Sequence, residues 1–187
     1  VIDSYRNSFF NTEKFSIHEK AIAVGRAGNV IGGGDYSRDR IIPDIINSLE
    51  KGIEISVRHP NAVRPWQHVL EPLAGYLLLA SMADKEPYKY SNAFNFGPYP
   101  QDSFSVKELV ENAIQIWGKG EIRYETNTMK QHEAGLLKLD INKAIAELGW
   151  LQKLTARESI EWTISWYKHS SENKNDFTTS QIDKYFD

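Results

Sequence analysis

The stretch Ala21-Ile22-Ala23-Val24, running on into Gly25-Arg26-Ala27-Gly28-Asn29-Val30-Ile31-Gly32-Gly33-Gly34, decides the fold class. Four apolar residues in an unbroken row suit a strand covered on both faces, the habit of parallel sheets. A helical pattern leads into it: Val1, Ile2, Tyr5 and Phe9 share one helical face, with no capping residue ahead of them. A helix feeding a buried strand, with no second strand of that kind in its company, reads as the last part of a doubly wound α/β domain. A natural N-terminal helix that starts raggedly is the plainer alternative.

Outward from this stretch the pattern is mixed α/β. The glycines Gly32-Gly33-Gly34 and the polar residues Asp35 to Arg40 make a loop. Pro43 suits the first turn of a helix running to Lys51, and Gly52 stops it. Ile53 to Val57 alternates with period two, so it is a half-buried strand. A short segment at Trp66-Gln67-His68-Val69 precedes a helix over 71–83, and Ala93 to Phe96 is a brief strand ended by Gly97-Pro98. Ser105-Val106-Lys107-Glu108 and Thr155-Ala156-Arg157-Glu158 are capping boxes, opening helices to Trp117 and to His169. Strands are expected at 121–125 and 136–139, and Asp140 caps a short helix ended by Gly149. From Ser170 the chain reads as a polar, mobile tail, in which Tyr185 and Phe186 are the residues able to dock.

Composition narrows the function. The 187 residues are enough for one ordinary domain, and a chain of this size buries roughly 70% of its unfolded surface. Lys and Arg number 22 against 25 Asp and Glu, a net charge of −3, which lacks the basic excess of a nucleic-acid or anionic-membrane binder. With no cysteine, thiolate nucleophiles, disulfides and Cys-ligated zinc are excluded. No apolar run approaches the ~18 residues of a membrane span, and no secretory signal pattern opens the chain, so a cytoplasmic location is expected.

Several segments invite a chemical reading. The glycines at 25, 28 and 32–34 suggest a phosphate loop, but they run into the charged Asp35-Tyr36-Ser37-Arg38-Asp39 rather than a helix. A turn leaving a buried strand accounts for them better. Asn29 is placed where a parallel strand ends, which is where such sheets bind ligands. The five histidines are scattered with no i,i+4 helical pair, so a metal site is not expected. Arg58-His59-Pro60-Asn61-Ala62-Val63-Arg64-Pro65-Trp66-Gln67-His68 gathers two arginines, two histidines and a tryptophan. Arg grips phosphate in a bidentate fashion and Trp offers a stacking face. The competing reading pairs Arg64 with an acid and puts Trp66 in the core, and for an arbitrary domain that reading is favoured. Lys130-Gln131-His132-Glu133 adds charge and hydrogen-bonding groups, although alone it reads as a solvated loop. Trp150, Trp162, Trp166 and Tyr167 lie on or beside helical faces and are expected in the core.

Order and spacing of several motifs then coincide with a known family. Arg26 to Gly32, Arg40-Ile41-Ile42-Pro43, Arg64-Pro65-Trp66-Gln67-His68-Val69, and Leu139 to Ala144 with Leu148-Gly149-Trp150 recur as a series. The series resembles the C-terminal part of the extended short-chain dehydrogenases acting on nucleotide sugars, over about residues 1–168. Gly32-Gly33-Gly34-Asp35, Arg64 to Glu71 and His132-Glu133-Ala134 resemble its 4,6-dehydratase branch most closely.

The resemblance implies an organisation and a site. Residues 1–31 would be the tail end of an NAD-binding Rossmann-type domain, 32–169 mainly the smaller mixed α/β substrate domain, and 170–187 a polar tail. Asn29 would contact the sugar-phosphate part of the substrate, Arg40 and Ile41 would lie along the nucleotide base, and Arg64 would grip the diphosphate. Ala27 would pack against the nicotinamide of NAD. Lys130 falls where sister epimerases place a phosphate-binding arginine, a point charge in place of a fork. His132 and Glu133 match a shared motif without an assignable role.

The implied substrate is CDP-D-glucose or a similar nucleotide sugar, and the implied assembly a homodimer or homotetramer. The implied reaction is NAD-dependent dehydration to the 4-keto-6-deoxy sugar, on the way to dideoxyhexoses of surface polysaccharide (O-antigen, lipopolysaccharide). That chemistry needs a tyrosine whose pKa a lysine lowers, and acid and base groups for the elimination. No Tyr-x-x-x-Lys stands in a suitable position: Tyr5 is followed by Ser8 and Phe9, and Tyr36 by Asp39 and Arg40. No catalytic residue is therefore expected in the chain, which alone should be inactive. Another nucleotide-sugar dehydratase, epimerase or reductase, or a non-catalytic binding module, are the alternatives.

Overall fold

The computed structural model describes residues 1–125, 136–169 and 171–187. Its strands pair in twos. β1 (Val24–Ala27) runs parallel to β6 (Ala93–Phe96), β2 (Asn29–Ile31) to β5 (Trp66–His68), and β3 (Ile55–Val57) to β8 (Ile122–Tyr124). β4 (Val63–Arg64) is antiparallel to β7 (Phe104–Ser105). Parallel partners this far apart in sequence need crossover connections, and helices supply them. Those between the strands are α3 (Ile41–Lys51), α4 (Leu70–Lys85), α5 (Pro87–Tyr90) and α6 (Val106–Trp117), while α1 (Ile2–Phe9) and α2 (Phe15–His18) precede β1 and α7 (Ala156–Lys168) and α8 (Lys174–Phe186) follow β8.

Helix ends follow the local chemistry. Ser105 and Thr155 each accept a hydrogen bond from the amide three residues on, while Glu108 and Glu158 return to the cap amides. Gly52, Gly118 and Gly149 end their helices in the left-handed region that lacks a Cβ penalty.

Two large apolar clusters result. One gathers Ile42, Ile45, Ile46 and Leu49 of α3, Leu109, Val110 and Ala113 of α6, and Ile160, Ile164 and Tyr167 of α7 around β3 and Trp66. The other packs Leu79 and Ala83 of α4 on Phe94 and Phe96 of β6, with Ala144, Leu148 and Trp150. Trp150 and Tyr167 are buried as expected; Trp166 and Trp162 are half-buried against the core.

Four expectations need correction. The ladder of β1 is Val24–Ala27 rather than 21–24, because Val24 opens the register with Ala93; Ala21 and Ala23 pack on the second cluster instead. Nor is β1 without a parallel companion, since β6 lies beside it; yet it is covered incompletely, with Gly25 and Arg26 exposed. The strand expected at 136–139 reduces to a single bridge between Leu136 and Val63, and Leu136 and Leu137 are exposed. The tail is not mobile along its whole length: α8 packs on α7, with Tyr185 only 3% exposed beside Leu70 and Leu154. No helix among the described residues is long and apolar enough to cross a membrane.

Candidate functional site

The chain steps from one parallel pair to the next within five residues. β1 ends at Ala27, opposite Phe96, and Gly28 donates its amide to the Phe96 carbonyl at 3.3 Å. Asn29 then donates its amide to the Pro65 carbonyl at 3.1 Å and opens β2 opposite Trp66. A Cβ on Gly28 would lie 2.9 Å from the Pro65 oxygen, so only glycine allows this approach. Asn29 is thereby set beside the segment that carries Arg64, while Ala27 lies opposite Phe96. The register juxtaposes two motifs 35 or more positions apart in sequence.

Arg64 is 8% exposed, and its Nη1 donates to the Val63 carbonyl at 3.0 Å. Trp66 is buried and donates from Nε1 to the Phe104 carbonyl at 3.1 Å. Its ring belongs to the core, as the plainer sequence reading had it, and is not a stacking face for a ligand. Ile41 is half-buried against the cluster that contains Ile31 and Trp66, and Arg40 immediately precedes it as the exposed N-cap of α3. Ile41 thus packs on the cluster to which Ile31 of β2 and Trp66 of β5 contribute. Lys130, His132 and Glu133 lie outside the described residues. On either side of them, Glu125 donates its amide to Val57 at 3.0 Å and Leu137 to Val63 at 3.2 Å.

Neither glycine cluster is a phosphate cradle. Space above Gly33 is filled by an aromatic ring, since a Cβ there would stand 2.1 Å from Trp166, and space above Gly28 is filled by Pro65. These glycines serve close packing of the chain on itself.

Behind Arg64 the structure buries a polar row that sequence reasoning passed over. Gln67 donates from Nε2 to the Phe96 carbonyl at 2.8 Å, tying β5 to β6. His68 is 2% exposed; the Leu70 amide points at its Nδ1 at 3.4 Å, and its ring meets Trp162 edge-on at 5.6 Å. Burial pushes its pKa down to about 4, so the imidazole is neutral at pH 7. Glu71 is fully buried and accepts the Leu154 amide at 2.7 Å, the Lys153 amide at 3.1 Å and the Tyr185 hydroxyl. Burial raises its pKa, and those hydrogen bonds oppose the rise. The signal available in the sequence was Gln67 and His68 inside an otherwise apolar β5–α4 junction. Their bonding is partial: among the described residues, Gln67 Oε1 and His68 Nε2 are buried without a hydrogen-bond partner.

Comparison with known proteins follows this geometry. No family model matches the chain. It is 41% identical over 168 residues to CDP-glucose 4,6-dehydratase of Salmonella typhimurium, covering 90% of this chain and 47% of that enzyme. The chain therefore spans about half the length of the curated relative it matches. Among solved structures it superposes with a TM-score of 0.65 on dTDP-glucose 4,6-dehydratase from Bacillus anthracis in complex with NAD, at 19% identity over 88% of this chain and 50% of that one. It superposes equally on UDP-glucose 4-epimerase from Thermotoga maritima with UDP-glucose, with a TM-score of 0.67 at 20% identity over 89% and 52%. By sequence the chain is a relative of CDP-glucose 4,6-dehydratase, and by structure it has the fold of the extended short-chain dehydratases and epimerases.

Proposed function

We propose that the chain is the substrate-side part of a nucleotide-sugar 4,6-dehydratase, a lyase that takes CDP-D-glucose to CDP-4-keto-6-deoxy-D-glucose. The observation that carries this reading is the meeting of Asn29 with the Arg64 segment through the β2–β5 register, in a chain 41% identical to CDP-glucose 4,6-dehydratase. In this reading Asn29 binds the sugar-phosphate, Arg64 the diphosphate, and Arg40 and Ile41 the base, with Lys130, His132 and Glu133 adding contacts.

NAD fits these residues only at its margin. Ala27 at the end of β1 offers a small apolar contact for the nicotinamide, while the glycine clusters are filled by Pro65 and Trp166 and hold no pyrophosphate. When bound, NAD would accept a hydride from the sugar and return it. The chain's own residues bind and orient the substrate; proton transfer belongs to groups this sequence does not contain. Residues 1–31 then close an NAD-binding domain, 32–169 form mainly the substrate domain, and 170–187 follow as the C-terminal segment. A homodimer or homotetramer in the cytoplasm, serving synthesis of CDP-linked dideoxyhexoses for surface polysaccharide, completes the reading.

Calorimetric titration of the chain with CDP-, UDP-, GDP- and dTDP-glucose tests it. Saturable binding that favours the cytidine sugar supports the reading. Preference for another base moves the chain to a sister dehydratase or epimerase, and absence of binding to all four overturns it.

A further inference from the structure

The loop 32–40, which delivers Arg40 and Ile41 to the start of α3, is held by residues that the sequence gives no reason to associate with a ligand. Tyr167 of α7 donates its hydroxyl to the Asp35 carbonyl at 2.6 Å, and Gly33 lies against the Trp166 ring. Tyr36 meets Tyr167 edge-on at 5.8 Å between centroids. Over this aromatic platform sits Lys174, the first residue of α8. Its Nζ donates to the Tyr36 hydroxyl at 3.1 Å and stands 4.6 Å from the Trp166 ring centroid. Trp166 in turn donates from Nε1 to Thr178 Oγ1 at 2.8 Å, which ties α8 to α7 one turn further along.

The far end of α8 is anchored independently. Tyr185 donates to the buried Glu71, and Lys153 Nζ donates to the Tyr185 carbonyl at 2.6 Å. Glu71 follows β5 by three residues, and β5 carries the Arg64 motif onward. One C-terminal helix thus bridges both segments to which the proposed substrate contacts belong: the loop before α3 at its N-terminal end, and the β5–α4 junction at its C-terminal end.

We infer that Lys174 is a positioning residue for nucleotide-sugar binding: its contact with Tyr36 and Trp166 holds the loop 32–40 in the conformation that presents Arg40 and Ile41. The inference rests on the proposed site. The loop carries a left-handed residue, Asp39, with φ of +59°, a region that non-glycine residues adopt uncommonly. Asp35 caps the loop locally by accepting the Ser37 amide at 2.9 Å, and the Asp44 carboxylate of α3 accepts the Asp39 amide at the loop's far end. The cation over Trp166 and the bond to Tyr36 supply the outer restraint.

The test compares the chain with Lys174→Met and Lys174→Arg, using amide hydrogen exchange over 33–40 and calorimetric affinity for CDP-glucose. A cation–aromatic contact at a partly exposed position corresponds to a three- to tenfold effect, about one decade in an equilibrium constant at most. Lys174→Met is expected to speed exchange in the loop and weaken CDP-glucose binding by about that factor, and Lys174→Arg to restore both. Unchanged exchange in Lys174→Met overturns the restraint. Faster exchange with unchanged affinity overturns the positioning role. Failure of the parent chain to bind any nucleotide sugar sinks the reading of the site itself, and is told apart from failure of this inference, in which the parent binds and Lys174→Met binds equally well.

Discussion

Asn29 and Pro65 are joined through their backbones, amide to carbonyl at 3.1 Å, although 36 positions separate them. This bond sets the register of β2 on β5 and so decides which residues share the candidate site. It requires the preceding residue to have no side chain. Gly28→Ala would press its Cβ on the Pro65 carbonyl, which cannot rotate away. A loss of about 1–3 kcal/mol is expected, as for other overpacked positions. Denaturant titration of parent and variant measures it, and an unchanged midpoint would contradict the tight approach.

Arg64 offers a test of the site itself. Charge-assisted hydrogen bonds are worth about 1.5–3 kcal/mol, so Arg64→Ala should weaken nucleotide-sugar binding by roughly 10- to 100-fold. Arg64→Lys keeps the charge without the planar fork and should fall between. Since Arg64 is buried, both variants need a thermal melt alongside the titration. Equal affinity in folded Arg64→Ala removes the residue from the site.

His68 makes a pH-dependent contribution whose sign is fixed. Its pKa is about 4 when folded against an ordinary 6.5, so the unfolded chain takes up a proton first as pH falls. Its share of stability is complete above 6.5 and is lost toward pH 4, about 3 kcal/mol in all. Glu71 works in the opposite sense. Its pKa is raised by burial, so protonation on acidification favours the folded chain. The difference between parent and His68→Asn across pH 4–7 isolates the histidine. A flat difference would show that His68 is not buried as a neutral ring.

Tyr185→Phe removes the hydroxyl that Glu71 accepts and leaves a buried carboxylate with one bond fewer. About 1–3 kcal/mol of stability should go with it. Hydrogen exchange in α8 should rise more than in α6, because Tyr185 is the buried residue of that helix. Equal effects on both helices would mean that the bond does not anchor α8.

A last expectation concerns association. The outer edge of β1 is unpaired among the described residues, and Ala23, Gly25, Tyr76, Leu79 and Ala80 line an open apolar cleft of about 330 Å³ beside it. Leu73 and Leu77 of α4 extend the surface at 46% and 66% exposure. Free strand edges beside apolar surface recruit other chains. Light scattering should find concentration-dependent oligomers, and Leu77→Lys should reduce them. A monomer that melts sharply at every concentration would refute this.

Much of the architecture is local enough to read without coordinates. Capping boxes at Ser105 and Thr155, and glycine stops at 52 and 149, depend on residues within one turn, so their chemistry is printed in the chain. The order of motifs around Asn29, Arg40 and Arg64 likewise carries the family likeness. β2, β4 and β7 are another matter: two or three residues hold no period to detect, and they are strands only because a distant backbone arrives beside them.

The sequence by itself determined the capped and glycine-stopped helix ends, the α/β class and the order of motifs that carries the family likeness. Tertiary structure alone decided that Gly33 makes room for Trp166, that His68 at the end of β5 and Glu71 in α4 are buried, and that a polar C-terminal segment is a helix docked on Glu71 through Tyr185. The physical reason is range. Caps and turns act between neighbours in the chain, whereas burial and strand pairing depend on partners that only folding brings near.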